Sequence, residues 1–266
     1  MPLSAPFDAI AATYDDTFTN SSIGRAQRHL VWLEADRAFS IGHQILEINC
    51  GTGIDALHLA SRGIEVTACD SAPAMIEVAR HRLNASAFHR VVDLRCLAIE
   101  QLAMLEAEGP YDGIFSNFGG LNCLDDLNSV VRDMSRLVWP GGKLVLCLFG
   151  RSCLWEILFY TLRGDFHRAF RRFRRKGTIA VLAPGSEIVV HYPGVRELGR
   201  IFSPYFRLER WRGVGISVPP SYLESFAASF PRFLKFAARI DGCFGQWPGL
   251  RALADHVVLT FERTDA

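Results

Sequence analysis

Several features that would have assigned this chain quickly are missing. Its seven cysteines, an odd number, contain no Cys-x-x-Cys pair, which argues against a disulfide framework and a structural zinc site and fits a reducing compartment. No basic-then-apolar leader opens the sequence, and no apolar run approaches the length that crosses a bilayer. The expectation is therefore a cytoplasmic protein. An excess of charge of either sign is absent too: 29 basic side chains stand against 28 acidic ones. No global field draws the chain to nucleic acid, and no RNA-binding module is recognisable. Internal repeats and low-complexity tracts are lacking, and no His/Cys/Asp set has metal-ligand spacing, so no metal is expected. Apolar residues, by contrast, are plentiful. At 49% of 266 residues they are enough for one large core, or one core with a substantial cap.

The informative stretch is 45–70, ILEINCGTGIDALHLASRGIEVTACD. A short apolar strand breaks into the turn Gly51-Thr52-Gly53, a helical pattern follows, and a second strand ends on Asp70. That order describes a nucleotide crevice at the carboxyl end of a parallel sheet. Glycines let the backbone bend and approach a ligand closely, and Asp70 stands where a carboxylate accepts hydrogen bonds from ribose hydroxyls. Gly51-x-Gly53-x-x-Ala56 also fits a dinucleotide fingerprint. Glu47, however, sits inside the first strand, where a buried carboxylate is costly unless paired with a cation. A ligand bearing an amino group and a sulfonium supplies positive charge nearby; a pyrophosphate is repelled.

The string Glu47-x-Asn49-Cys50-Gly51-Thr52-Gly53 resembles motif I of class I S-adenosylmethionine-dependent methyltransferases, and the likeness covers roughly residues 7 to 150. Asn49 replaces the first glycine of the family pattern, a substitution the turn tolerates because asparagine accepts positive φ. Asp70-Ser71-Ala72-Pro73-Ala74-Met75 resembles the second signature, in which the acid holds ribose and the next residues flank adenine. Here Ser71 is expected to cap the helix that Pro73 starts, and Met75 to offer a soft face to an aromatic ring. The segments 111–118 and 137–146 resemble the fourth strand with its closing motif and the turn into the fifth strand. By likeness to small-molecule members, Tyr14 in FDAIAATYD is a lid over the cofactor; the competing reading is a surface tyrosine on a capping helix. The family's adenine-binding aspartate is missing, Ala98 taking its place, so Ile99 and the backbone around it are left to contact adenine.

The resemblance implies an α/β fold: a doubly wound, seven-stranded, mostly parallel sheet of Rossmann-like methyltransferase type with an antiparallel last strand. Strands are read at 44–48, 64–69, 91–97, 112–116 and 143–149, then from 205 to 211 and at 256–263. Helical patterns are read at 23–40, 151–176, 194–202 and 221–240, and a hairpin at 178–192 turning on Pro184-Gly185-Ser186. The expected layout is one domain over 1–266. It has an N-terminal lid at 1–40, a core of 41–150 with 194–218 and 255–264, and helical and hairpin cap insertions at 151–193 and 219–254.

The implied cofactor is S-adenosylmethionine, held by Tyr14, Glu47, Asn49, Gly51, Gly53, Asp70, Ser71, Met75, Ile99 and Asn117. The implied reaction is in-line methyl transfer to a small or amphipathic acceptor, in which holding the reactants close and dry accounts for much of the catalysis. A base near neutral pH, most often histidine, is wanted for a hydroxyl or amine acceptor. His191 in the cap is the leading candidate, with Tyr192 beside it and Asn117 near the donor; His167 and His256 rank lower. An Asn/Asp-Pro-Pro-Tyr/Phe sequence is absent after the fourth strand, which counts against amino-methylation of adenine or of glutamine amides. Residues 151–176 mix phenylalanines with cations. They read either as a solvated basic face over a packed phenylalanine stripe, or as an amphipathic segment contacting a membrane surface or an anionic ligand. Two other classes stay open: an NAD-dependent oxidoreductase, and a noncatalytic cofactor-binding or membrane-associated protein on the same fold.

Overall fold

Apolar runs that are buried on both faces, separated by helical segments, dictate a parallel sheet with helices on either side. A computed structural model describes residues 5–265 and has that arrangement. Residues 1–4 of the expected lid, and the last residue of the domain span, lie outside the described residues.

Seven strands form the central sheet: β1 (Gln44–Ile48), β2 (Glu65–Asp70), β3 (Val92–Cys96), β4 (Tyr111–Ser116), β5 (Val138–Phe149), β8 (Phe206–Val214) and β9 (His256–Arg263). A separate hairpin pairs β6 (Thr178–Ala183) with β7 (Ser186–Val190). The order in the sheet is β3-β2-β1-β4-β5-β9-β8. The chain therefore reverses its winding between β1 and β4, and a crevice opens at their carboxyl ends. β9 runs antiparallel to both neighbours. Its first residue, His256, thus pairs with Phe149, the last residue of β5. The methyltransferase-type sheet read from the sequence is the sheet observed.

Two apolar layers flank the sheet. One packs the helices Ser22–Ala38, Ile54–Ser61 and Pro73–Asn84 through residues such as Val31, Leu59 and Ile76; the other packs Leu127–Leu137 and Val195–Phe202 through Val130, Met134 and Phe202. Ser21 starts the first of these helices, its hydroxyl accepting the Gly24 N–H at 2.9 Å. Such caps typically contribute about 1 kcal/mol.

Three local expectations change. Residues 151–176 do not form one helix. They break into Leu154–Leu162, Phe166–Ala169 and a short 3-10 turn at Arg171–Phe173, because Gly164 adopts φ +73° and Asp165 caps a new start. Phe166, Phe170 and Phe173 are exposed rather than packed as a stripe, whereas Arg172 is buried. Residues 221–240 likewise break at Phe230, because Pro231 opens a second helix, Pro231–Phe244. Ser71 is no cap either. Ala72 is the cap residue, and the Ala74 N–H is instead accepted by Asp8 of the N-terminal segment at 2.8 Å.

Candidate active site

The turn after β1 is held from three sides. Asn49 (φ 57°), Gly51 (φ 53°) and Gly53 (φ 74°) are all left-handed, a conformation glycine and asparagine accept most readily. A Cβ on Gly51 meets no atom within 4 Å, so the turn leaves open space there, whereas one on Gly53 comes within 2.9 Å of the Ala79 Cβ. Asp70 closes the turn: its Oδ2 accepts the Gly51 N–H and its Oδ1 the Ala72 N–H, each at 2.9 Å. Burial raises the Asp70 pKa, and those two backbone bonds oppose the shift. The carboxylate thus shapes the crevice as well as facing it.

Asp70, Gly51, Asn49, Ser71, Met75, Ile99, Asn117 and Tyr14 border one cavity of about 240 Å³. Glu47, in β1 before the turn, and Gly53, at its end against Ala79, do not border it. Glu47 is 1% exposed and its Oε2 has no hydrogen-bond partner. Burial pushes its carboxyl well above the usual range. Burial also raises the Cys50 thiol, consistent with a packing rather than a reactive role. The Asn117 side chain is already engaged at both ends, donating to Asp55 at 3.1 Å and accepting the Phe118 N–H at 2.9 Å. It holds Phe118 in an unusual left-handed conformation (φ 48°).

The N-terminal segment lies across this cavity and is fastened to it. Asp15 accepts from the Thr52 hydroxyl at 2.7 Å and pairs with Arg82, which also donates to the Thr52 carbonyl. Asp8 caps the helix after β2, and Ser186 of the hairpin donates to the Pro6 carbonyl at 2.7 Å. Burial pushes the Tyr14 phenol up to about 12, so it remains protonated at neutral pH.

A second cavity, of about 370 Å³, adjoins the first and shares Phe7, Tyr14, Phe118, Cys123 and Ile188 with it. Its walls are mainly apolar, with a polar end formed by Gln27, Arg172, Tyr192, Asp255 and His256. The His256 ring stacks on Phe149 at 4.6 Å and meets the edge of Phe118 at 5.2 Å. Its Nδ1 has no hydrogen-bond partner and lies 3.4 Å from Asp255 Oδ2. Burial lowers the His256 pKa, against the opposing pull of Asp255, so the ring is neutral at pH 7. Burial disfavours the Asp255 anion, but His256 and Arg172 outweigh it and hold the carboxyl below its usual range. Arg172 donates to Asp255 Oδ1 at 2.7 Å and to Glu156 Oε2 at 3.0 Å.

His191 is placed elsewhere. Its ring faces a neighbouring outer cleft and lies 3.0 Å from Asp125, while its backbone is clamped by Asn122 on both sides. Tyr192 does border the second cavity. Sequence reasoning passed over Phe7, Phe118 and Ile188, which wall both cavities. Only the pairing of β9 with β5 reveals that His256 arrives there. Among the described residues no group of three or more His, Cys, Asp or Glu is placed to hold a metal ion, and no helix is long and apolar enough to cross a membrane.

Residues 45–142 match the family described as methyltransferase domain. Over 147 residues the chain is 31% identical to a demethylmenaquinone methyltransferase of Clavibacter sepedonicus, covering 55% of this chain and 58% of that protein. Over 119 residues it is 38% identical to a ubiquinone biosynthesis O-methyltransferase of Chromobacterium violaceum, covering 44% and 49%. The chain thus spans about half the length of the curated relatives it matches. Among solved structures, the CcbJ methyltransferase from Streptomyces caelestis superposes with a TM-score of 0.63 at 18% identity, over 98% of both chains. The [4+2]-cyclase SpnF gives 0.58 at 16%, over 90% of this chain and 82% of its own. The sheet, the glycine turn and the matched core define an S-adenosylmethionine-type methyltransferase fold. Residues 45–142 thus carry a methyltransferase-domain core, and the fold around it is that of S-adenosylmethionine-dependent methyltransferases of known structure.

Proposed function

We propose that this protein transfers a methyl group from S-adenosylmethionine to a small, mainly apolar acceptor that carries an ionisable hydroxyl. One observation carries the reading: a cavity bordered by Asp70 and the open glycine turn shares its Tyr14–Phe118 wall with an apolar chamber ending in His256. The residues present fit the cofactor. Gly51 leaves room for close backbone approach, Asp70 keeps free lone pairs for a ribose, Met75 and Ile99 offer apolar faces for adenine, and the unpartnered Glu47 oxygen favours positive charge nearby. When bound, S-adenosylmethionine supplies an electrophilic methyl group.

The chain's own residues do the rest. Phe7, Phe118, Phe149 and Ile188 exclude water and orient a flat or chain-like acceptor. His256, neutral and buried, takes the hydroxyl proton as the oxygen attacks. Asp255, anchored by Arg172, steadies the imidazolium that forms. Tyr192 lines the same end and His191 lies outside it, so the base is assigned to His256. Since the [4+2]-cyclase SpnF has a similar fold, the reading rests on the site and not on the fold.

Titration calorimetry with S-adenosylhomocysteine, and with NADH, on the wild type and Asp70→Ala tests the cofactor. Binding of the first ligand alone, weakened in the variant, is expected; binding of NADH alone overturns the proposal. With an acceptor in hand, His256→Gln lowers kcat by about 10²–10⁴, the usual range for a general base. An unchanged kcat removes His256 from that role.

A further inference from the structure

We infer that the cap is a docking face for an anionic bilayer. Segment 151–192 carries eight Lys and Arg against three acids, although the whole chain is nearly neutral. One of those acids, Glu156, is buried beneath Arg171 and Arg172. In segment 221–250 the only acids, Glu224 and Asp241, face inward: they accept backbone N–H groups of Ser22 and Ile23, and of 215–218. Its cations Arg232 and Lys235 make no ion pair among the described residues, and neither do Arg174, Arg175 and Lys176.

Large apolar side chains stand out between these charges. Leu162 is 87% exposed, Phe236 61%, and Phe166, Phe170, Phe230 and Phe233 are also exposed. In the helix Leu154–Leu162 the only fully buried residue is the glutamate, the reverse of a helix packed by its apolar face.

The two segments join into one surface. Tyr222 packs on Phe159 at 5.7 Å and on Tyr160 at 6.2 Å, and the Arg168 guanidinium lies over Tyr160. One turn on, Phe226 packs against Phe230 and Phe233. On the other side, Arg168 and Arg174 border an outer depression with Ile179 of the hairpin. Ile179 is 67% exposed and also lines the larger cavity, which therefore opens at this face.

Interleaved cations and protruding aromatics complement negative headgroups over hydrocarbon. A solvated basic face does not need the aromatics, and a nucleic-acid surface does not need Leu158, Leu162, Ile179 and Val181 pointing outward.

Co-sedimentation with phosphatidylcholine vesicles, with and without phosphatidylglycerol, tests the inference without any turnover, independently of the methyl-transfer reading. Wild type is expected to sediment only with the anionic vesicles, and less at high salt. Arg174→Gln with Arg175→Gln lowers partitioning about 25-fold, taking about fivefold for each cation lost near an anionic surface. Phe230→Ser with Phe233→Ser lowers it as well; both pairs change exposed side chains, and circular dichroism checks that they fold. No sedimentation, or equal sedimentation of all variants, overturns the inference. So does retention by single-stranded RNA without vesicle binding, or a concentration-dependent dimer that the phenylalanine pair dissolves.

Discussion

Replacing Asp15 by alanine tests whether the N-terminal segment is a latched lid. The carboxylate makes two charge-assisted bonds, one from the Thr52 hydroxyl at 2.7 Å and one from Arg82. Such bonds are worth roughly 1.5–3 kcal/mol each when buried. The Asp15 and Arg82 side chains are about one-fifth exposed (21% and 18%), so solvent screening favours the low end. The latch is then worth roughly 2–3 kcal/mol in total. Losing about 2 kcal/mol lowers the closed-to-open ratio about 30-fold, and the apparent affinity falls with the closed fraction. The expected weakening of S-adenosylhomocysteine binding by Asp15→Ala is therefore roughly 3- to 30-fold by calorimetry. Chymotryptic cleavage near Tyr14 and Phe18 should quicken in parallel. Asp15→Asn keeps an acceptor for Thr52 but loses the ion pair, and should fall between the two. A variant that binds and resists cleavage like the wild type would refute the latch, because Thr52 and Arg82 would then be holding nothing that matters to the ligand.

Three further outcomes follow from the geometry. Gly53→Ala forces a non-glycine residue to φ +74° and a Cβ to within 2.9 Å of Ala79; the expected loss is roughly 2–4 kcal/mol, read as a clear drop in Tm, and an unchanged Tm contradicts the packing. Arg172→Ala leaves the buried Asp255 without its arginine and Glu156 with Arg171 alone, so denaturant unfolding should show a loss of about 3–5 kcal/mol, whereas a loss below that range would mean that water or the remaining partners compensate Asp255. Glu47 has a raised folded pKa, so the stability it contributes is present below its unfolded value and is lost as pH rises through the folded one. Glu47→Gln should therefore match the wild type in Tm near pH 4.5 and exceed it increasingly toward neutrality, and a difference that is flat with pH defeats that account.

The sheet was legible because its inner strands are largely buried on both faces and read as apolar runs, and because Asn49, Gly51, Gly53 and Asp70 carry the turn's conformation in their residue types. Most of the crevice lining followed from the same signals. The cap was less legible. Segment 151–176 has a continuous helical periodicity, and only the left-handed Gly164 and the Asp165 cap break it; at 221–240 the break is Pro231. The two histidines differ in orientation. His191 lies in the cap as read, but the two Asn122 bonds turn its ring outward. His256 opens the strand expected to run antiparallel, but its arrival beside Phe149 depends on the register of a pairing more than a hundred residues apart. Asp8 as a helix cap is non-local for the same reason.

The reversed strand also separates two parts of the apolar chamber. Because β9 runs against its neighbours, the proposed base is rooted in a strand paired on both sides within the sheet, whereas part of the wall of the apolar chamber hangs on the hairpin before β8. Selection can rebuild that hairpin, lengthening it or exchanging a side chain, without disturbing the backbone that carries His256. If His256 is the base, as proposed, this architecture lets the chamber walls change while the strand that carries it stays, and laboratory grafting of hairpins between such chains should start from the same division.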